Sequence, residues 1–357
     1  MATKAHIKEY DLFGLLSKFI RQIQKGKHLQ VSGKRITKGS IENYIYLHKS
    51  LVNFSKVKQF PLKVVSVNRL SKRDLLPIQN HWKKFYIAFT NYLYDDLDCY
   101  DNYVSTLIKR LRAFFNYLNN ELNLNVGNFH KRFYAPMEEI QIAVLSPERL
   151  NFLVENKEFH HRLPERLKRV KDLFVLGCTI APRFSDLIRI NAENLEYIND
   201  RVYLNMRSQK TQTLTCIKLP DYAVAIIDKY WKRGKLKLPF ISNFNMNKYV
   251  KEMVEAAGWT ETYVRTRNKR KVPHVIYKDK KKKTHFRFCD MITTHTMRRT
   301  AITTLLSLGM PENEVRKISG HSAGSKEFYR YLHFSQTHMD DAMDKVHAKL
   351  KERKLLQ

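Results

Sequence analysis

His295 and Arg298 stand three residues apart on one face of an expected helix, whose apolar side carries Ala301, Ile302, Leu305 and Leu306. An imidazole and a guanidinium on a core-anchored element can grip an anion. Side chains of the same kind recur along the chain in the order Arg183, Lys210, His295, Arg298, His321, and then a tyrosine, Tyr329 or Tyr331. Each feature alone arises often by chance; the ordered set is far more specific. Positive donors of these types could bind a phosphate-like anion. A metal is not expected. The four cysteines, Cys99, Cys178, Cys216 and Cys289, are widely scattered and form no Cys/His cluster at ligand spacing, and no cofactor motif is present.

Several elements must position these groups. Gly309-Met310-Pro311 separates the helix of His295 and Arg298 from a second short helix, which Gly320 ends just before His321. A longer helix over about 163–178 runs into Thr179-Ile180-Ala181-Pro182, so Arg183 is held at a junction where Pro182 breaks the helix. Leu195–Ile198, Val202–Met206 and Leu214–Leu219 read as a three-stranded meander, with Lys210 at the tip between its last two strands. Helices are expected at about 221–232 and 244–257. Between them and His295 lies a basic, hairpin-like insertion containing Arg265, Arg267, Lys269, Arg270 and Lys271, followed by Lys280 and Lys281.

The N-terminal part reads as helical. Amphipathic stretches cover 8–24, a segment starting near Thr37, about 75–96 and 101–122, with a β-like run at Lys63-Val64-Val65. Lys109, Arg110 and Arg112 fall on or near the exposed side of the last helix. Ser146-Pro147-Glu148, a good N-cap, first-turn residue and dipole partner, opens a second domain.

The chain's 357 residues, 43% of them hydrophobic, suffice for two cored domains, and its formal charge of +31 favours a polyanion through counterion release. Nucleic acid is the first expectation. No apolar run approaches the roughly 20 residues that span a bilayer, and the N-terminus lacks the apolar stretch of a signal peptide. A cytoplasmic setting is expected, bacterial and nucleoid-associated or phage-encoded in its host.

The stretches Arg183-Phe184-Ser185-Asp186-Leu187, Lys210-Thr211, His295-Thr296-Met297-Arg298-Arg299, Gly320-His321-Ser322 and Phe328-Tyr329-Arg330-Tyr331 resemble the tyrosine recombinases, or phage integrase family. The resemblance implies a mainly α fold with a small antiparallel sheet. It implies an arm-like segment (1–36), a helical, SAM-like core-binding domain (37–136), a linker (137–145) and a mixed α+β catalytic domain (146–335), followed by a C-terminal helix (336–357) that could cover its own domain or dock on a neighbouring protomer. It further implies cleavage and rejoining of double-stranded DNA through a 3′-phosphotyrosine, by a homotetramer on DNA, to integrate, excise or invert a mobile element; host DNA-bending factors are a further candidate partner. Arg183 and Arg298 would stabilise the phosphate, His295 would be the base, Lys210 would protonate the 5′ oxygen, and His321 would bind phosphate or orient the nucleophile.

Counting from His321, Tyr329 is one residue nearer than the family's common spacing and Tyr331 one farther; similar family members show Phe-x-x-Tyr followed by an apolar residue, a register that fits Phe328-x-x-Tyr331-Leu332 and favours Tyr331. Ala181 and Pro182 replace the family's usual glycine and leucine, and alanine is unfavourable there only if a positive φ is required. Two other readings share these residues: a type IB topoisomerase and a non-catalytic DNA-binding relative. The basic candidates for DNA contact are Lys109, Arg110, Arg112, Arg265, Arg267, Lys269, Arg270, Lys271, Lys280 and Lys281.

Overall fold

The computed structural model describes residues 8–30, 32–68, 70–209, 212–322 and 324–332, with Met343, Asp344 and His347 beyond them. In chain order the elements are β1 (Glu9–Asp11), α1 (Leu12–Gln24), α2 (Lys38–Val57), β2 (Lys63–Val65), α3 (Lys72–Asn91) and α4 (Asp101–Asn120). Next come α5 (Pro147–Glu155), α6 (Lys157–Arg162), α7 (Glu165–Ile180), α8 (Phe184–Leu187), β3 (Leu195–Ile198), β4 (Arg201–Arg207), β5 (Leu214–Lys218) and α9 (Asp221–Asp228). The remainder comprises β6 (Trp231–Lys232), β7 (Lys235–Leu236), α10 (Asn243–Ala256), β8 (Thr262–Tyr263), β9 (Arg265–Lys269), β10 (Val272–Ile276), β11 (Phe286–Arg287), α11 (Phe288–Met291), α12 (Thr294–Ser307), α13 (Glu312–Ser319) and α14 (Lys326–Leu332). The chain is therefore mainly helical with small antiparallel sheets. It divides into two units, residues 1–140 with 266–275, and 141–265 with 276–357.

In the first unit the helices close on an aromatic core. Trp82, Phe85, Phe89, Phe114 and Phe115 are fully buried, and Trp82 stacks on Phe129 with ring centroids 4.6 Å apart. Thr37 caps α2 as its position suggests, its hydroxyl accepting from the Ser40 N–H. The first described element is a strand where a helix over 8–24 is expected: β1 pairs antiparallel with β2, and the helix begins only after Asp11 caps it. The tip of the β9–β10 hairpin belongs to this unit, where carboxylates hold it. Asp101 accepts from the N–H groups of Arg270 and Lys271 at 2.8 and 3.0 Å, and buried Glu138 accepts from Arg267 Nε at 2.7 Å.

The second unit is built around α7. Gly177 faces Met297 so closely that a Cβ at 177 would lie 2.9 Å from the Met297 Cβ, so glycine is what lets α7 and α12 meet. Ser146 caps α5 by accepting from the Arg149 N–H. β3, β4 and β5 form the expected meander, turning at Asn199 and Asp200, both at positive φ. The helix expected over 221–232 stops at Asp228 instead. A two-residue hairpin, β6–β7, follows, turning at Arg233 and Gly234, which also take positive φ. The C-terminal helix expected over 336–357 lies outside the described residues apart from Met343, Asp344 and His347. Among the described residues no helix is long and apolar enough to cross a membrane.

Candidate active site

Arg183 is carried by a sharp stop. Ala181 ends α7 at φ 52°, ψ 27°, the left-handed region, and Pro182 prevents the helix from resuming until Phe184. The positive φ that alanine tolerates poorly is thus required here. Arg183 Nη1 donates to Ser208 Oγ at 2.7 Å, Ser208 Oγ donates to Asp186 Oδ2 at 3.3 Å, and the Gln209 N–H donates to Asp186 Oδ1 at 3.1 Å. Buried Asp186 therefore ties the first arginine to the start of the β4–β5 turn. Lys210, farther along that turn, lies outside the described residues.

The second group comes from α12. Its first turn is fixed from outside, the Thr294 N–H donating to Asn247 Oδ1 at 2.9 Å and Thr294 Oγ1 to Asn243 Oδ1 at 3.0 Å. His295 on that turn is exposed; Arg298, one turn on, is only 7% exposed. Arg298 Nη1 donates to the Ala181 carbonyl at 2.9 Å, and its Nη2 lies 3.2 Å from both ring nitrogens of His321. Burial first, then the charge of Arg183, pulls the Arg298 pKa down to about 10, so it is still a cation at neutral pH.

His321 follows Gly320, whose left-handed φ of 62° ends α13. Ser319 Oγ donates to the Val315 carbonyl at 2.7 Å, so its single proton is spent there. Its 2.7 Å contact with His321 Nδ1 must then be an Nδ1–H donated to Ser319. Nε2 is left with its lone pair to accept from Arg298. Burial, then Arg298, Arg183 and Arg316, push the His321 pKa down to about 3, in keeping with this neutral tautomer.

Tyr331 reaches the same place from α14. Phe328 is fully buried beneath the Arg316 guanidinium, which lies 4.0 Å from its ring centroid. The Phe328 and Tyr331 rings meet edge to face at 5.9 Å, and the Tyr331 and His321 rings at 6.0 Å. Arg183, His295, Arg298, His321 and Tyr331 all line one cavity of about 260 Å³. Tyr329 does not line it. That side chain is 51% exposed, with Arg316 5.2 Å from its ring.

Arg299, Glu327 and Arg330, which are not among the residues expected from the sequence to form the site, line this cavity too. Arg299 had a signal: it is four residues beyond His295, on the same helical face. Among the described residues no group of histidines, cysteines and carboxylates could hold a metal.

The basic candidates are spread over both units. In the first, Lys109 is exposed and Arg112 half-buried, while Arg110 lies 5.4 Å from the Tyr44 ring and 3.5 Å from Ser40 Oγ. Arg267 is bound to Glu138, Lys269 to Asp98, and Arg270 to Asp95 by both terminal nitrogens at 2.8 and 2.7 Å. Lys271 lies 5.3 Å from the Tyr134 ring. In the second unit, Arg265 lies 5.5 Å from the Phe286 ring, and Lys280 and Lys281 are exposed. The hairpin cations are thus largely partnered by acids and rings of the chain itself.

Residues 163–338 match the model of the phage integrase family. The fold is similar to a lambda integrase dimer bound to a COC′ core site, at 12% identity and a TM-score of 0.55 over 91% of this chain and 77% of that one. It is similar to the XerH site-specific recombinase on a palindromic difH substrate, at 12% identity and a TM-score of 0.57 over 93% and 83%. It is similar also to the Tn1549 transposon integrase with transposon right end DNA, at 13% identity and a TM-score of 0.54 over 95% and 100%. At such identities the likeness to these structures is one of fold. No curated protein sequence matches the chain.

Proposed function

We propose that this chain, whose residues 163–338 match the phage integrase family model, is a tyrosine recombinase, a site-specific recombinase whose nucleophile is Tyr331. The observation that carries this reading is the convergence of Arg183, His295, Arg298, His321 and Tyr331 on one cavity from four separate stretches of chain. The substrate is double-stranded DNA, a reading supported by the +31 charge and by the DNA-bound state of the similar structures.

In the proposed step a phosphate of one strand enters the cavity and its non-bridging oxygens take donors from Arg183 and Arg298, whose planar forks suit the charge that builds there. The Tyr331 oxygen bonds to phosphorus as its proton passes to His295. The bond from phosphorus to the 5′ oxygen breaks, and that oxygen keeps the electron pair and takes a proton from Lys210. The products are a 3′-phosphotyrosine and a 5′-hydroxyl. Because the phosphodiester is exchanged and not hydrolysed, a 5′-hydroxyl from a second duplex can reverse the step without ATP. Two such rounds in a homotetramer would integrate, excise or invert a mobile element, with host DNA-bending factors as candidate partners. The neutral His321 must gain or shift a proton if it is to donate to the phosphate.

The test is to map strand breaks on DNA flanking the coding sequence while the protein remains attached. The proposal predicts a protein-linked 3′ end and exchange between two paired sites. Relaxation of supercoiled DNA without exchange would point to a topoisomerase. Binding without an SDS-resistant adduct would make the chain a non-catalytic relative.

A further inference from the structure

We propose that Phe240 packs against a base of the DNA within a few nucleotides of the phosphate held by Arg183 and Arg298, and so sets which phosphodiester enters the site. This rests on the reading of the arginine-lined cavity as the phosphate site. A second cavity, of about 540 Å³, adjoins the first and shares Arg183, His295 and Arg298 with it. Its other walls include Phe184, Ile188 and Phe240. Guanidiniums and apolar side chains in one recess match a nucleotide, whose phosphate is an anion and whose base has apolar faces.

Phe240 and Phe244 are the two most exposed large apolar side chains among the described residues, at 84% and 80%. Single exposed apolar residues are ordinary; two large rings four positions apart, one of them on a charged cavity, mark a surface that meets a partner. The local sequence explains the outward turn. Leu238 and Ile241, on either side, pack on the core of the second unit, which fixes the backbone and leaves the Phe240 ring outside. The ring is also tied to the groups that hold the phosphate. α10 begins at Asn243, and Asn243 and Asn247 accept from Thr294 on α12, the helix of His295 and Arg298. Phe240 therefore keeps a set offset from those two side chains.

The occupant is DNA because whatever covers Phe240 also lies over a recess walled by Arg183 and Arg298, where the chain's charge of +31 favours a polyanion. Arginines that grip a phosphate treat every position along a strand alike, since the backbone repeats about every 3.4 Å and carries no sequence information. A ring that needs an apolar base face at a fixed offset removes that ambiguity. Phe240 contributes binding and register; it moves no proton and forms no bond to phosphorus.

The experiment uses the full chain and duplexes tiled across the DNA that flanks its coding sequence. Binding to the tightest duplex is measured against salt for wild type, Phe240→Ala and Phe240→Trp, and again with a single abasic position walked along each strand. Phe240→Ala should bind about 10- to 100-fold more weakly, as loss of one ring–base stack gives. Its slope of log affinity on log salt should match wild type, since no phosphate contact is lost. Phe240→Trp, which keeps an aromatic face, should bind within about threefold of wild type. One abasic position should weaken wild type by about 10-fold or more and Phe240→Ala by less than about threefold, the coupling that a double-mutant cycle reads. That position should lie within about three nucleotides of the phosphate at which the SDS-resistant adduct forms, given the backbone repeat of about 3.4 Å. Because the ring is exposed, Phe240→Ala should melt with wild type. Undiminished binding by Phe240→Ala, a changed salt slope or the absence of a coupled position overturns the assignment. So does a loss confined to duplexes that carry two sites, which would make Phe240 a contact between copies of the chain. Wild type that binds but forms no adduct defeats the recombinase reading alone, since Phe240 is still read from the coupled abasic position; wild type that binds no duplex defeats both.

Discussion

Arg298 Nη1 donates to the carbonyl oxygen of Ala181 at 2.9 Å, so the helix bearing one arginine of the site is hydrogen-bonded to the turn that aims the other. The carbonyl is presented by the left-handed conformation of Ala181, at φ 52° in a fully buried position.

That conformation makes Ala181 a test of the turn. A glycine would relieve about 1 kcal/mol of left-handed strain and give up a buried methyl worth about 0.8 kcal/mol. Ala181→Gly should therefore unfold within about 1 kcal/mol of wild type. Ala181→Val, adding a branched side chain at positive φ in a closed space, should lose roughly 2–4 kcal/mol, and denaturant melts of the two variants check both.

How much of this was legible in advance depends on the range of the determining forces. Ser146, Pro147 and the Asn199-Asp200 turn act within a few residues, and the elements they imply are present. Arg183, His295, Arg298 and His321 were legible as residue types in order, although only the fold brings them to one cavity. Distance from His321 left Tyr329 and Tyr331 tied; helical register separated them, because Phe328 and Tyr331 share a face that packs inward. The clamp on the β9–β10 hairpin was not legible, since Asp95, Asp98, Asp101 and Glu138 carry no local sign of partners more than a hundred residues on. Nor was the stop at Asp228, where an apolar helical pattern gave way to a turn at Arg233-Gly234.

Gly177 should not tolerate a methyl. The added Cβ would lie 2.5 Å from Met297 Sδ and 2.9 Å from its Cβ, so α12 must move or Met297 must leave its rotamer. Gly177→Ala is expected to cost roughly 1–3 kcal/mol despite alanine's better helix propensity. In a Met297→Ala background the same change should cost less, a coupling that a double-mutant cycle measures.

Arg316 braces the segment that leads to Tyr331. Its Nε donates to Glu312 at 2.7 Å, its Nη1 to the Ser322 carbonyl at 2.9 Å, and its guanidinium covers Phe328. Arg316→Ala should cost about 2 kcal/mol locally from the lost charged hydrogen bonds and ring contact. Amide exchange over 320–331 should accelerate while α3 and α4 are unaffected. Arg316→Lys, without the planar fork, should fall between.

Acid should weaken both units. Burial lowers His130 to about 4 in the first unit, and burial with three arginines lowers His321 to about 3 in the second. An unfolded histidine takes up its proton near pH 6.5, whereas these folded ones do not until the pH is far lower. Stability from each is therefore present above about pH 6.5 and is lost as pH falls towards the folded values. Melting temperatures measured between pH 7.5 and pH 5, choices that straddle the free histidine value of about 6.5, should drop. For His130→Phe the drop should be shallower, even if the variant melts lower at the upper pH.

Tyr331, the tyrosine at the cavity, is the proposed nucleophile towards DNA, and exposed Tyr329 is not. The direct measurement is SDS-resistant adduct formation by wild type, Tyr331→Phe and Tyr329→Phe on nicked duplexes from the flanking DNA. Wild type and Tyr329→Phe should trap DNA covalently and Tyr331→Phe should trap none. Adduct retained by Tyr331→Phe and abolished in Tyr329→Phe would make Tyr329 the nucleophile instead.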